Sequence, residues 1–203
     1  MRLDLSLYLI TDRALCTSPG LVETVTAAVR GGVTMVQLRD KHASDAELVD
    51  QARRLKAALY GSGVPLIIND RLEVAIAAGA DGLHLGQDDG DVADARVLLG
   101  PEAILGLSVQ TLEQMARLDV EHLDYLGLGP VFATPSKQDH AEPLGFAGLA
   151  RLVAASPLPS VAIGGLKAEH VAATHEAGAE GLAVVSAICG TPDPEAAARR
   201  FFS

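Results

Sequence analysis

The chain has 203 residues, of which 49% are hydrophobic and 21% charged, and this supplies enough apolar material for one sizeable core. Its 26 acidic residues outnumber its 16 basic ones, giving a formal net charge of -10. This excess argues against nucleic acid or an anionic membrane as a partner, because both require clustered Lys and Arg.

Short apolar runs recur along the chain, and most are rich in Leu or β-branched residues and bounded by Gly or a polar residue, as buried strands are. They predict eight strands at residues 5–12, 34–40, 66–70, 82–87, 104–109, 125–132, 160–165 and 181–188. Stretches of helical period separate them at residues 20–31, 44–61, 71–78, 91–99, 111–118, 146–155, 167–177 and 194–202. Ser44 with Glu47 three residues later is the pattern of a capping box.

This alternation of strand and helix predicts an α/β protein, a single (β/α)8 TIM barrel that forms one catalytic domain over residues 1–203. An open doubly wound sheet fits less well, because such sheets usually have about five to seven strands and no GxGxxG motif follows the first strand here. Residues 77–87 and 176–186 share an AGA[D/E]GL pattern between helix and strand, which supports a repeated helix–turn–strand unit.

The first residues and the cysteines suggest an intracellular protein. Arg2 and Asp4 lie too early for the apolar segment of a signal peptide, and no apolar run reaches the roughly 18 residues of a membrane helix. Cys16 and Cys189 lack metal-ligand spacing, so we interpret them as reduced structural thiols. We therefore expect a soluble cytoplasmic protein, whose oligomeric state the sequence leaves open.

Polar residues concentrate at the predicted carboxyl ends of the strands, where barrel enzymes build their active sites. Asp70 and Asp89 follow neighbouring strands, so their carboxylates are candidates to bind a divalent cation such as Mg²⁺. The alternative is that each aspartate caps the helix that follows. A bound cation, or a local basic patch, would let this acidic chain accept a phosphorylated substrate.

Two further groups suit anionic ligands. Gln37, Arg39 and Lys41 are spaced two apart, so on an extended strand they point the same way and suit a diphosphate, unless they are simply a solvated strand end. Gly164 and Gly165, with Ser186 after the last strand, lie where barrels commonly bind a monophosphate, although the glycines also suit a plain turn. No Ser/His/Asp set, HExxH motif or Schiff-base lysine motif is recognisable, which favours binding and electrostatics over a protein nucleophile.

Seven segments, in order and over essentially the whole chain, resemble the thiamine-phosphate synthase (thiamine-phosphate pyrophosphorylase) family. They are residues 37–41 (QLRDK), 67–71 (IINDR), 82–89 (GLHLGQDD), 106–109 (GLSV), 127–137 (GLGPVFATPSK), 161–166 (VAIGGL) and 184–188 (VVSAI). The resemblance implies a Mg²⁺-dependent transferase that joins a pyrimidine diphosphate to a thiazole phosphate and releases pyrophosphate.

The resemblance also implies roles for individual residues. The pyrimidine diphosphate would be held by Gln37, Leu38, Arg39, Asp40, Lys41, Asn69, Ser108 and Lys137. The thiazole phosphate would be held by Thr134, Pro135, Ser136, Gly165, Val185 and Ser186. Asp70 and Asp89 would bind Mg²⁺, and the catalytic residues would be Arg39, Lys41, Ser108 and Lys137. The family usually has Thr where this chain has Ser136, and the hydroxyl is kept.

Two other functions are compatible with a barrel of this kind. A related thiazole tautomerase shifts a proton on the thiazole and typically has a histidine just before the VF of strand six, where this chain has Gly129 and Pro130. A regulator that binds thiamine precursors without turnover would tolerate loss of Asp70, Asp89 and Lys137. The presence of these residues favours the synthase.

Overall fold

The structure is a computed structural model that describes residues 3–134 and 142–203. Within these ranges eight parallel strands pair in sequence order, and the first pairs with the last to close a barrel. The predicted (β/α)8 architecture is therefore confirmed. The strands are β1 (Leu7–Ile10), β2 (Met35–Leu38), β3 (Leu66–Asn69), β4 (Gly82–Leu85), β5 (Ile104–Val109), β6 (Tyr125–Leu128), β7 (Ser160–Ile163) and β8 (Gly181–Val184).

A helix follows each strand and covers the outside of the barrel. The helices are α1 (Leu21–Arg30), α2 (Asp45–Leu59), α3 (Leu72–Ala78), α4 (Val92–Leu99), α5 (Leu112–Met115), α6 (Gly145–Ala155), α7 (Val171–Glu176) and α8 (Pro194–Arg199). Three short 3₁₀ helices add Val120–His122 before β6, Ala168–His170 before α7 and Arg200–Phe202 after α8.

Most predicted elements were longer than the observed ones. The stretch predicted as strand 5–12 contains β1 over only four residues, and the helix predicted at 111–118 contains α5 over only four. The polar strand ends leave the ladder and turn into the loops above the barrel, so periodicity overestimates the strand length. The predicted capping box is confirmed, because the Ser44 hydroxyl accepts from Glu47 N and the Glu47 carboxylate accepts from Ser44 N.

Alternate residues of each strand face opposite sides of the barrel wall. The outward residues are almost all Leu, Val or Ile and form the large core beneath the helices, as Leu9, Val36 and Leu126 do. The inward residues form a smaller cluster, which consists of Leu5, Tyr8, Ile10, Met35, Ile67, Tyr125, Val161 and Ala183. The polar strand residues of the site belong to this inward series.

Two tyrosines fill the centre of the barrel. Tyr8 on β1 and Tyr125 on β6 meet edge to face, with ring centroids 5.9 Å apart. Gly106 on β5 leaves room for the second ring, since a Cβ at Gly106 would lie 2.2 Å from Tyr125 Cζ. The barrel interior is therefore packed below its mouth, which opens at the carboxyl ends of the strands.

Candidate active site

A cavity of about 160 Å³ opens at the carboxyl ends of the strands. Every strand or the loop that follows it contributes to its wall. Its polar lining residues are Gln37, Arg39, Lys41, Asn69, Asp70, His84, Asp89, Ser108, Gln110, Thr134 and Ser186. Its remaining lining consists of apolar residues and glycines, which gives the cavity a charged side, a polar floor and a glycine-rich side.

The charged rim, which we define as Arg39, Lys41, Asp70 and Asp89, lies above β2 to β4. Burial raises the pKa of Asp70 to about 6, and the hydrogen bond to Asp89 and the charge of that carboxylate add to the rise, while Lys41 and Arg39 oppose it. The two carboxyl groups therefore lie close enough to repel each other when both are ionised. Such a pair suits a divalent cation, which would remove the repulsion.

Local backbone geometry directs both acids away from helix capping. Asp70 has a φ of 61°, the one positive value at a non-glycine residue in the described chain. The N-cap of α3 is Arg71, without a side-chain hydrogen bond, and α4 is capped instead by Asp91. Asp89 accepts from Gly86 N at 2.7 Å, which folds its loop back over β4. The capping alternative for Asp70 and Asp89 is therefore wrong.

The two cations of the charged rim are available for a ligand. Within the described ranges, neither the Arg39 guanidinium nor the Lys41 ammonium has a carboxylate within ion-pair distance. Arg71, by contrast, pairs with Asp45 at 2.7 Å. Unpaired cations that line a cavity beside two acids indicate an anionic ligand at this point.

A hydrogen-bonded chain crosses the barrel below the charged rim. Gln37 Nε2 donates to Tyr8 Oη at 2.6 Å, Tyr8 Oη lies 2.9 Å from Tyr125 Oη, and Tyr125 Oη lies 2.8 Å from His84 Nδ1. His84 Nε2 then lies 2.9 Å from Ser108 Oγ. We call these five residues the polar chain.

The polar chain has a preferred direction. Burial raises the pKa of Tyr8 and of Tyr125, so both hydroxyls stay protonated. Because the Gln37 amide nitrogen only donates, every buried hydrogen finds an acceptor when Tyr8 donates to Tyr125 and Tyr125 donates to His84 Nδ1. His84 then carries its proton on Nε2 and donates to Ser108, which leaves the Ser108 hydroxyl hydrogen directed to the cavity.

The opposite side of the mouth is the glycine rim, which we define as Gly164, Gly165, Val185 and Ser186. Gly164 has a φ of 103° and Gly165 a φ of 63°, which place both in the left-handed region. A Cβ at Gly165 would lie 2.9 Å from Ala133 O and 2.9 Å from Phe132 Cβ. Only glycine therefore lets this turn approach the loop after β6 so closely, and both glycines line the cavity, where backbone N–H groups suit a phosphate.

The cavity brings together most of the residues expected to form the site. Those on its wall are Gln37, Arg39, Lys41, Asn69, Asp70, Asp89, Ser108, Thr134, Gly165, Val185 and Ser186. The expected residues Pro135, Ser136 and Lys137 lie outside the described residues.

Two expected binding residues have side chains elsewhere. Leu38 is buried among the outward-facing residues beneath the helices. Asp40 accepts from His42 N and Ala43 N and pairs with Arg13 at 3.2 Å, so it holds the loop after β2. Both have the opposite parity to Gln37, Arg39 and Lys41, and strand alternation points them away from the cavity. Neither side chain lines the cavity, and the expectation that Leu38 and Asp40 bind substrate stays a prediction.

His84 and Gln110 line the cavity although they were not among the expected site residues. The two ring nitrogens of His84 contact Tyr125 and Ser108, so this residue is a hydrogen-bonded histidine of the barrel interior. The inward positions of His84 and Gln110 follow from strand alternation. His84 lies two residues after Gly82 on β4, and Gln110 follows β5 two residues after Ser108. Assigning inward and outward positions alternately along each predicted strand would have identified both residues as part of the cavity wall.

A second group of metal-binding residue types lies away from the cavity. Asp119, Glu121 and His122 approach one another in and beside the 3₁₀ helix before β6, which is at the amino end of the barrel, and the two acids are exposed.

Among the described helices, none is both long and apolar enough to cross a membrane.

Comparison with known proteins agrees with this geometry. A family model described as thiamine monophosphate synthase matches residues 7–188. A thiamine-phosphate synthase of Psychrobacter sp. (strain PRwf-1) is 55% identical, over 96% of this chain and 92% of the relative. One from Azorhizobium caulinodans is 54% identical, over 97% and 92%.

A solved structure is also similar over nearly its whole length. The thiamine phosphate pyrophosphorylase from Pyrococcus furiosus has a TM-score of 0.88 and 34% identity, and the match covers 99% of this chain and 95% of that one. The motifs, the barrel and these similarities agree, and the chain belongs to the thiamine monophosphate synthase family.

Proposed function

We propose that this chain is a Mg²⁺-dependent thiamine-phosphate synthase that acts as one catalytic domain. It joins 4-amino-2-methyl-5-(diphosphooxymethyl)pyrimidine to thiazole phosphate and releases pyrophosphate. One observation carries this proposal: two adjacent carboxyl groups share the wall of a single cavity with two cations that lack an ion-pair partner among the described residues, opposite a glycine turn. This arrangement supplies separate positions for a diphosphate and for a monophosphate.

The residues present fit a magnesium ion. Asp70 and Asp89 offer hard oxygen ligands, neither caps a helix, and their mutual repulsion is relieved by a divalent cation. When bound there with substrate phosphates, Mg²⁺ neutralises charge on the diphosphate oxygens. Because the net charge of the chain is -10, this local neutralisation favours binding of an anionic substrate.

The charged rim promotes departure of the diphosphate. The exocyclic CH₂–O bond of the pyrimidine breaks, its electron pair leaves with pyrophosphate, and the aminopyrimidine ring delocalises the resulting cation. Arg39 and Lys41 donate to the departing oxygens, which gain charge as the bond breaks. We assign Lys137 to the same task from the family resemblance.

The polar chain positions the pyrimidine ring beneath that diphosphate. Gln37 and Ser108 lie at its two ends, and Asn69 lies beside them on the cavity wall. Because buried donors and acceptors fix the orientation of each member, these groups present a fixed pattern of hydrogen-bond donors and acceptors to the ring nitrogens and amino group of the pyrimidine.

The glycine rim positions the second substrate. Backbone N–H groups of the Gly164–Gly165 turn, with Ser186 and Thr134, bind the thiazole phosphate, and we include Pro135 and Ser136 from the resemblance. The thiazole nitrogen attacks the pyrimidine methylene carbon and forms the new C–N bond. No protein nucleophile takes part, and holding the two reactants together contributes up to roughly 7–11 kcal/mol in well-oriented systems.

The test is release of pyrophosphate from purified protein supplied with both substrates and Mg²⁺. Release that requires both substrates and stops with EDTA is expected. Conversion of the thiazole alone would instead identify a tautomerase. Ligand-dependent stabilisation against heat without any release would identify a regulator, and either result would overturn the synthase.

A further inference from the structure

The two cysteines of the chain meet in the folded protein. Cys16 lies in the loop after β1 and Cys189 in the turn after β8, and their sulfur atoms are 3.3 Å apart. Both are buried and unbridged. Because β1 and β8 close the barrel, residues separated by 173 positions become direct neighbours.

A small cavity beside the active site reaches Cys16. It has a volume of about 70 Å³, and its lining includes Cys16, Arg13, Arg39 and Asp40. This volume exceeds what a single water molecule requires, so a small hydroperoxide fits beside the Cys16 thiol. Arg39 lines both this cavity and the active-site cavity, so the two lie side by side.

The surroundings of Cys16 favour its thiolate. Cys189 donates to the Cys16 sulfur when that group ionises, which lowers the pKa of Cys16, although burial opposes the change. Thr24 is fully buried, and its hydroxyl has no hydrogen-bond partner among the described residues. Donation from this hydroxyl to the ionised Cys16 sulfur lowers the pKa of Cys16 further.

We propose that Cys16 and Cys189 are a site of reversible oxidation by hydroperoxides, with Cys16 as the attacking thiol and Cys189 as the resolving one. The Cys16 thiolate attacks one peroxide oxygen, the O–O bond breaks, and a sulfenic acid forms with release of hydroxide or alkoxide. Cys189 then attacks the sulfenic sulfur and displaces its oxygen as water. Two thiols lose two electrons to the hydroperoxide, and a disulfide results.

Disulfide formation affects the glycine rim. The sulfurs must approach from 3.3 Å to about 2.05 Å. Cys189 N donates to Val185 O at 2.9 Å in the turn that carries Val185 and Ser186, so movement of Cys189 shifts the proposed phosphate position. This effect rests on the proposed function. We expect the KM of the oxidised enzyme for thiazole phosphate to be about tenfold higher than that of the reduced enzyme.

The test begins with a readout that is independent of activity. The reduced protein is treated with stoichiometric hydrogen peroxide, and free thiols, intact mass and digested peptides are measured. We expect both thiols to disappear, the mass to fall by two hydrogen atoms, and a peptide that joins Cys16 to Cys189 within one chain. Unreacted thiols, or bridges only between chains, would overturn the proposal.

Two variants identify the order of the steps. Cys189→Ala is expected to accumulate a sulfenic acid at Cys16 that dimedone traps, whereas Cys16→Ala is expected to leave Cys189 unreacted. Equal labelling of both variants contradicts the assigned roles. Ala is small and apolar, and circular dichroism of each variant verifies folding.

The kinetic part of the test separates this site from the proposed function. Pyrophosphate release by the reduced protein reports the synthase, and the change in KM after oxidation, with its reversal by dithiothreitol, reports the coupling. An unchanged KM in fully bridged protein would overturn the coupling. Absence of release from the reduced protein would count against the synthase, while the thiol measurements still decide the oxidation site.

Discussion

The charged rim and the glycine rim face each other across one cavity and use different means to accept an anion. The charged rim uses side chains: Arg39 and Lys41, which have no ion-pair partner among the described residues, lie beside two acids, and burial together with the neighbouring Asp89 raises the pKa of Asp70 to about 6. The glycine rim uses backbone, with two left-handed glycines packed against the loop after β6. Anion binding at the charged rim should therefore depend on side-chain charge and on pH, whereas anion binding at the glycine rim should depend on side-chain volume.

This difference has a physical reason. A departing diphosphate gains negative charge as its bond breaks, and cationic side chains directed at its oxygens stabilise that added charge. A phosphate that only anchors its substrate keeps a constant charge, so fixed N–H dipoles suffice. Substitutions on the two rims should therefore affect different substrates and different rate constants.

The largest effect is expected on the charged rim. Asp89→Ala removes one of the two proposed metal ligands, so kcat should fall by about a thousandfold and the dependence of rate on Mg²⁺ should weaken. The neighbouring Asp88→Ala removes a similar charge from outside the cavity wall and serves as the control. Steady-state rates of pyrophosphate release across a Mg²⁺ series measure both, and an unchanged Mg²⁺ dependence in Asp89→Ala would refute its role as ligand.

The glycine rim should respond to volume. Gly165→Ala places a Cβ 2.9 Å from Ala133 O, and we expect the KM for thiazole phosphate to rise by about thirtyfold with a much smaller change in the pyrimidine KM. Gly63→Ala is the matched control, because Gly63 also has a positive φ, 76°, but has no atoms near its Cβ position. If both KM values rise equally, the two rims do not bind separate substrates.

The polar chain lies beneath both rims and should affect mainly the pyrimidine. Tyr125→Phe removes the hydroxyl between Tyr8 and His84 and leaves buried partners unsatisfied, which costs about 1–3 kcal/mol in unfolding free energy. We expect kcat/KM for the pyrimidine diphosphate to fall by about tenfold, because His84 loses its fixed tautomer. Tyr60→Phe, at a side chain 92% exposed, should change neither quantity.

The charged rim should also show a pH dependence. Folding raises the pKa of Asp70 from 3.8 to about 6, so between these values the folded, Mg²⁺-free protein holds a proton that the unfolded chain has lost. Its unfolding free energy should therefore fall as pH rises through this window. Mg²⁺ displaces that proton, so its affinity should rise through the same window by up to about tenfold per pH unit.

Calorimetric titration of Mg²⁺ at several pH values measures this dependence. Asp89→Asn removes the neighbouring negative charge, so the pKa of Asp70 should fall, and the pH window in which the unfolding free energy of the Mg²⁺-free protein changes should move to lower pH. A pH dependence that stays in place would mean that Asp89 does not set the ionisation of Asp70.

Much of this architecture was predictable from local patterns. Eight apolar runs separated by helical stretches specified the barrel, because each run must be buried on both faces and each helix must cover one of them. The same patterns located the Ser44 capping box and the strand-end residues Gln37, Arg39, Lys41 and Ser108. Motif resemblance added Leu38 and Asp40, whose parity on the strand excludes their side chains from the cavity.

The sequence by itself determined the order and type of the elements and which residues can carry charge to the mouth of the barrel, since these follow from periodicity and side-chain chemistry. Only the tertiary structure decided that Asp70 adopts a φ of 61° and meets Asp89, that Tyr8 and Tyr125 link Gln37 to His84, and that Cys16 touches Cys189. Each of these contacts joins different strands of the closed barrel or the loops that follow them, and closure brings together residues that are distant in the sequence.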